Sequence, residues 1–131
     1  MPSLSKQSIS CPDAPQAVGP YSMAVRGGGF LFTAGQIPLD PVSGVITGTT
    51  VAEQTRQVLV NLEAVLRASG CSTNDVVKTT VFLVDLASFG EMNKVYADYF
   101  HEPFPARSTV QVSALPKGAL VEIEAVALIR S

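Results

Sequence analysis

The 131-residue sequence has no tryptophan, one histidine and two cysteines, and each shortage argues against a class of site. Cys11 and Cys71 stand far apart without the spacing of a metal site, so no metal is expected. Two free thiols are favoured over a disulfide, although the sequence leaves the redox state open. No motif marks a nucleophile near His101, which is expected to be a solvent-exposed residue at a helix end, outside any catalytic triad.

Charge and hydropathy argue against two kinds of partner. The nine lysines and arginines are scattered and the net charge is −2, whereas a nucleic-acid binder usually shows a basic stripe. No apolar run approaches the roughly 20 residues that cross a membrane. The opening MPSLSKQSIS has neither the apolar segment of a secretory signal nor an arginine. A cytoplasmic protein is expected, with a mitochondrial location left open for a eukaryotic source.

The length and the low charge predict how the chain is organised. One domain over residues 1–131 is expected, because this length suits a single hydrophobic core. Charged residues make up 15%, against about 25% in typical domains. A surface with so few charged residues suggests that another subunit covers part of it.

Periodicity and turn residues predict the order ββαβαββ. Residues 19–38 predict a hairpin that turns at Gly27-Gly28-Gly29. A first helix is expected to begin at Thr50, with Glu53 completing a capping box, and to end at Gly70. Residues 75–85 are rich in β-branched side chains and predict a strand.

The second half of the chain predicts a helix and two closing strands. The helix is expected to begin at Ser88, with Tyr99 on its inner side, and to end at EPFPA, residues 102–106. Residues 106–114 and 120–129 predict two strands that pair as an antiparallel hairpin. The fold class is therefore α+β, with two helices on one face of a sheet. A second copy of the chain is the candidate cover for the other face.

The next question is whether the polar residues of the last two predicted strands can contact one another within one chain. Alternation places Glu122 and Glu124 on one face of the last strand, opposite the apolar face. In the predicted hairpin Glu122 lies opposite Val112, which leaves Arg107 about 16 Å away along the strand. The residues alone favour separate surface roles for these groups, or contacts with a neighbouring subunit. Residue type alone also makes Tyr21 a packed aromatic and Asn93 an exposed polar residue of the helix.

Five segments in order resemble one known family. They are APQAVGPYSMAV, FTAGQIPLDPVSG, EQTRQVLVNLEAVL, VVKTTVFLVDLASFGEMNKVYADYF and PARSTVQVSALPKGALVEIEA. Together they cover most of the chain, and each is similar to the RidA/YjgF family of imine and enamine deaminases, once grouped with translation inhibitors. The arginine-to-glutamate spacing in the last segment is the most specific part of the match.

The resemblance implies a fold, an assembly and a set of site residues. The fold is chorismate-mutase-like, assembled as a homotrimer with clefts between subunits. The carboxylate-binding arginine falls on Arg107 and the catalytic glutamate on Glu122. The family tyrosine falls on Tyr21, the helical asparagine on Asn93, and the glycine that lends backbone contacts to the ligand on Gly35.

Two positions depart from common versions of the family, and one glutamate stays outside the implied site. Ala34 stands where serine is common, which removes a hydroxyl contact with the ligand. Thr109 stands where many relatives have cysteine, which keeps a hydrogen-bonding group and loses thiol reactivity. Glu124 is expected to be structural.

The implied activity is hydrolysis of reactive enamines and imines to 2-keto acids and ammonia. The expected substrates are 2-aminoacrylate, its imine 2-iminopropanoate, and 2-iminobutanoate, with no metal or organic cofactor. Two alternatives stay open. One is a regulatory module that binds 2-keto acids without turnover. The other is an endoribonuclease or translation inhibitor, against which the acidic sequence counts.

Overall fold

The computed structural model describes residues 5–130 and shows a six-stranded mixed sheet with two helices. The strands are β1 (Gln7–Ile9), β2 (Ala24–Gly27), β3 (Phe30–Thr33), β4 (Val76–Leu83), β5 (Ala106–Gln111) and β6 (Val121–Leu128), and the helices are α1 (Val51–Ala68) and α2 (Phe89–Tyr96). Across the sheet the order is β1-β2-β3-β6-β4-β5. Strands β4 and β5 run parallel, and the other neighbouring pairs run antiparallel. The predicted α+β class is confirmed.

Helix α1 forms where its capping signal and apolar period predict it. The Thr50 hydroxyl accepts from the Glu53 N–H, and the Glu53 carboxylate accepts from the Thr50 N–H, so the predicted capping box is present. Its inner face buries Val58, Leu62 and Val65 completely. Within residues 5–130 no helix is long and apolar enough to cross a bilayer.

The predicted hairpin between the last two strands is wrong. Strand β4 lies between them: β5 pairs parallel with β4, and β6 pairs antiparallel with β4 and β3. The side chains explain this order. Strand β6 buries Val121, Ile123, Ala125 and Ala127 and suits a central position, whereas the polar β5 takes an edge.

Two further details differ from the sequence-based expectations. Helix α2 ends at Tyr96, and a tight turn follows in which Tyr99 N–H donates to Tyr96 O, so Tyr99 lies beyond the helix. A short strand, β1, pairs with β2 at the other edge of the sheet and was not predicted, because three residues carry too little pattern.

One face of the sheet packs on both helices, and the other is open in the single chain. The packed face carries the fully buried alternate residues of β4 and β6. The open face presents large apolar side chains that are 41–48% exposed: Phe30, Phe32, Val110 and Leu128. Phe30, Phe32 and Leu128 are neighbours across β3 and β6, and exposed apolar surface of this kind marks a place where another molecule packs.

Candidate active site

Arg107 lies at the start of the edge strand β5, where side chains of α2 hold its guanidinium. Its Nη1 donates to Asn93 Oδ1 at 2.7 Å. The guanidinium carbon lies 4.8 Å from the ring centroid of Tyr96 and 5.2 Å from that of Phe89. Both rings attract the cation through their π faces. The family resemblance implied that Arg107 and Asn93 are binding residues, and the structure brings them together.

The Tyr96 ring is held in place by a buried hydrogen bond of its hydroxyl group. Its hydroxyl lies 2.7 Å from Thr79 Oγ1 on β4, and Thr79 has no exposed surface. Burial raises the pKa of Tyr96, so the phenol stays neutral under the guanidinium. Sequence reasoning missed Phe89 and Tyr96 as supports of Arg107. Their spacing with Asn93, at i, i+4 and i+7 of one helix, was the available signal.

A cavity of about 530 Å³ opens beside the arginine. Its walls include Asn93, Tyr96, Phe104 and Pro105, together with Arg107 itself. Thr109 follows two residues later on the same face of β5, and its hydroxyl is buried with no hydrogen-bond partner among residues 5–130. We refer to this cavity as the Arg107 cleft. It offers a planar cation with mostly apolar walls, which suits a small carboxylate.

Glu122 lies in a second cavity, of about 260 Å³, which we call the Glu122 pocket. Tyr21, Gly35 and Lys117 line it with the glutamate, and most of its remaining walls are apolar. Burial raises the pKa of Glu122, and the like charge of Glu124 raises it further. A carboxylate with a raised pKa can take up and release protons closer to neutral pH than an exposed one.

Gly35 lies directly against the Glu122 side chain. A Cβ at this position would overlap carboxylate oxygen Oε2 and would lie 2.7 Å from the carboxyl carbon. The approach is fixed by the next residue, because Gln36 and Ile123 exchange backbone hydrogen bonds of 2.8 and 3.1 Å. Ala34 precedes this contact, is half-buried, and donates its N–H to the carbonyl of Met23. Gly35 and Glu122, which the resemblance implies separately as site residues, are therefore in contact.

The Arg107 cleft and the Glu122 pocket do not meet within one chain. Arg107 is level with Thr79 on β4, which is level with Ala125 on β6, and all three belong to the packed face. Glu122 lies three residues from Ala125 and so belongs to the open face. The two Cα atoms are separated by two strands and three residues, about 14 Å. The prediction that Arg107 cannot reach Glu122 in its own chain holds, although the hairpin register behind it was wrong.

The remaining sequence candidates fall outside both cavities. Glu124 is half-buried on the open face of β6, opposite Thr80 of β4, and His101 is exposed. Cys11 and Cys71 are buried free thiols, and burial raises the pKa of each. The Cys71 thiol donates weakly to the carbonyl of Leu128. Among residues 5–130 no cluster of three or more His, Cys, Asp or Glu side chains could hold a metal.

The fold and these two cavities define a class of protein. It is a small α+β protein that presents a braced arginine on one face of its sheet and a partly buried carboxylate on the other. A ligand that uses both groups needs two copies of such a chain.

Comparison with known proteins shows which family the chain belongs to. The endoribonuclease L-PSP family matches residues 11–129. A RutC family protein of Pyrococcus horikoshii is 54% identical over 93% of this chain and 97% of its own length. The 2-iminobutanoate/2-iminopropanoate deaminase of Homo sapiens is 48% identical over 98% of this chain and 93% of its own. The crystal structure of E. coli TdcF with bound serine has a TM-score of 0.88 and 44% identity, covering 95% of this chain and 99% of TdcF.

The chain belongs to the endoribonuclease L-PSP family, which includes the RidA and YjgF proteins that its sequence resembles. The predicted family is therefore confirmed, and it contains enzymes named as imine deaminases.

Proposed function

We propose that this protein hydrolyses small 2-imino acids, among them 2-iminopropanoate and 2-iminobutanoate, to 2-keto acids and ammonia. The observation that carries the proposal is the pairing of a braced guanidinium in one cavity with a carboxylate of raised pKa in another. The deaminase names of relatives up to 48% identical support it. Such imines are reactive, so their removal would protect other enzymes.

Arg107 supplies the binding step. A guanidinium carries five N–H donors, and the contact with Asn93 uses one of them. The others can grip a substrate carboxylate bidentately, because the guanidinium fork matches carboxylate geometry. Asn93 and the two rings hold the guanidinium in one orientation before substrate arrives, which lowers the entropy lost on binding. Thr109 offers an unused hydroxyl on the same face.

Glu122 supplies the proton transfers. Its carboxylate takes a proton from water as the water oxygen bonds to the imine carbon, and Glu122 then passes that proton to the imine nitrogen, which has taken the electron pair of the C=N double bond. In the resulting carbinolamine Glu122 takes the hydroxyl proton and gives it to the amine nitrogen, so the C=O bond forms as the C–N bond breaks and ammonia leaves. The 2-keto acid remains. Tyr21 and the backbone at Gly35 border the same pocket and would orient the water or substrate. These steps use only side chains of the protein and water.

The working site is assembled between chains. Within one chain Arg107 and Glu122 lie on opposite faces of the sheet, so a substrate gripped by one cannot touch the other. The open face exposes Phe32, Val110 and Leu128, which a second copy would cover. A closed ring of three copies, as the family resemblance implies, would bring an edge strand of one chain to the open face of the next.

Ammonia release from imines formed in situ by a pyridoxal-phosphate lyase tests the activity. We expect the wild type to release ammonia faster than water alone does. Arg107→Ala should lose about 100-fold or more in kcat/KM, because it removes a charged bidentate contact. Arg56→Ala is the matched control, since its exposed ion pair with Asp98 lies at 3.7 Å and contributes little. If the wild type releases ammonia no faster than the uncatalysed reaction does, the proposal is wrong.

A binding module without turnover is the second candidate. TdcF, a 44% identical neighbour, was crystallised with bound serine, which shows that this fold can hold a small amino acid. Calorimetric titration with a 2-keto acid beside the ammonia assay separates the two. Binding with no ammonia release would favour the module.

A further inference from the structure

The side chain of Asn61, on helix α1, donates hydrogen bonds to the backbone of the segment that forms one wall of the Glu122 pocket. Its side chain is 1% exposed, and its Nδ2 donates to two backbone carbonyls, Ile37 O at 3.2 Å and Leu39 O at 2.9 Å. Both of these residues line the pocket. Its Oδ1 accepts from Gln57 Nε2 at 2.9 Å, so every polar atom of the amide is used.

The bonded segment, residues 35–39, begins at the glycine that touches Glu122. On one side Gln36 pairs with Ile123 of β6, and on the other Asn61 holds Ile37 and Leu39. Leu39 forms an isolated antiparallel bridge with Ile46, and the Asn61 side chain adds bonds to the carbonyls of residues 37 and 39. The Gln36–Ile123 pair and the two Asn61 bonds together keep residues 35–39 close to the Glu122 side chain.

We propose that Asn61 is a positioning residue for the reaction: it holds residues 35–39 against Glu122 and so keeps bulk water from the carboxylate. The inference rests on the proposed role of Glu122. Asn61 itself borders neither the ligand space nor the glutamate. It acts through two backbone carbonyls and the glycine contact.

Besides the exclusion of water, few charged groups act on the pKa of Glu122. Glu124 lies two residues along the same face of β6, and its like charge raises the pKa of Glu122 less than burial does. Lys117 lines the pocket from the turn before β6, where its ammonium donates to Gly44 O at 3.1 Å. Tyr21 also lines the pocket, and β4 presents the uncharged Phe82 as the neighbour of Glu122. Loosening residues 35–39 therefore acts through hydration and leaves these charges in place.

Asn61→Ala and Gln57→Ala form a matched pair that tests the proposal. The first removes both bonds to the pocket wall, and the second removes only the bond that Asn61 accepts from the preceding turn. Titration of the Glu122 carboxyl by carbon-13 NMR is the primary readout, with thermal melting as a check on folding. Since this readout needs no turnover, it stays informative even if the protein proves not to be a deaminase.

Asn61→Ala should move the Glu122 titration to lower pH, since a hydrated carboxylate ionises more easily. The ammonia assay should show kcat falling about tenfold with KM little changed, as for a small misplacement of a catalytic group. Gln57→Ala should leave both readouts close to wild type. An unchanged titration in Asn61→Ala would overturn the proposal, as would equal shifts in both variants. If Asn61→Ala does not fold, the smaller polar substitution Asn61→Ser carries the same test.

Discussion

Gly35→Ala perturbs the candidate site at one defined point. The added Cβ would lie 2.7 Å from the Glu122 carboxyl carbon and 3.0 Å from its Cγ. Carbon atoms that are not bonded pack best at about 3.5 to 4.0 Å. The carboxyl carbon must therefore move by roughly 0.8 Å or more. The atoms that clash are the far end of a flexible side chain, so the glutamate can rotate away while the backbone keeps its place.

This geometry predicts a loss of activity without a comparable loss of stability. A displacement near 1 Å of a reacting group costs about 100-fold in rate. We therefore expect kcat/KM for imine hydrolysis to fall about 100-fold. The melting temperature should change little, because the new methyl group displaces a mobile carboxylate and leaves the buried core intact.

The ammonia assay on Gly35→Ala and a matched glycine control checks the prediction. Gly29→Ala is that control: a Cβ there meets nothing within 4 Å, and the residue does not need a positive φ. It should keep wild-type activity. A fully active Gly35→Ala variant would refute the reasoning, because the carboxylate would then tolerate displacement from Gly35.

Three further predictions test other parts of the account. Tyr96→Leu removes a ring beneath Arg107 and should weaken 2-keto-acid binding about tenfold by calorimetry, whereas Tyr96→Phe keeps the ring and should bind as the wild type does. Burial raises the pKa of Glu122, so the folded chain holds that proton more tightly than the unfolded chain, and the free energy of unfolding falls as pH rises above the ordinary value of 4.5. Glu122→Gln should therefore melt at a higher temperature than wild type at pH 7 and lose this advantage in acid; a lower melting temperature at pH 7 would contradict it. Cys71→Ala should keep most activity, since the thiol is buried away from both cavities; a loss beyond about tenfold in a folded variant would reveal a reactive thiol.

Local features of the fold could be predicted from the sequence because their causes are local. The capping box of α1 needs only Thr50 and Glu53, three residues apart. The burial of alternate residues in β6 follows from its apolar period. The position of β5 could not be predicted in the same way. A short link between two strands favours a hairpin, and only competition among all strands for central places decides otherwise.

The candidate site shows the same division between local and distant causes. The family resemblance pointed to Arg107, Asn93, Gly35 and Glu122, and the structure places these as two contacting pairs. The resemblance did not indicate what supports them. The Asn61 bonds to residues 37 and 39 join segments that no sequence period connects. These bonds form only when α1 packs across the sheet, so they cannot be predicted from local sequence.

In the proposed site one chain supplies Arg107 and another supplies Glu122. Arg107→Ala and Glu122→Gln should each be nearly inactive alone. When the two variants are unfolded together, refolded as an equal mixture and confirmed as mixed assemblies by mass spectrometry, a site with both native residues should form. In a ring of three, random mixing gives about one quarter of the wild-type number of intact sites.

The decisive measurement is the ammonia-release rate of that mixture. We predict about one quarter of the wild-type rate, far above the sum of the two variants measured alone. If the mixed assemblies form and the rate stays at that sum, no site is shared between chains, and the account is contradicted.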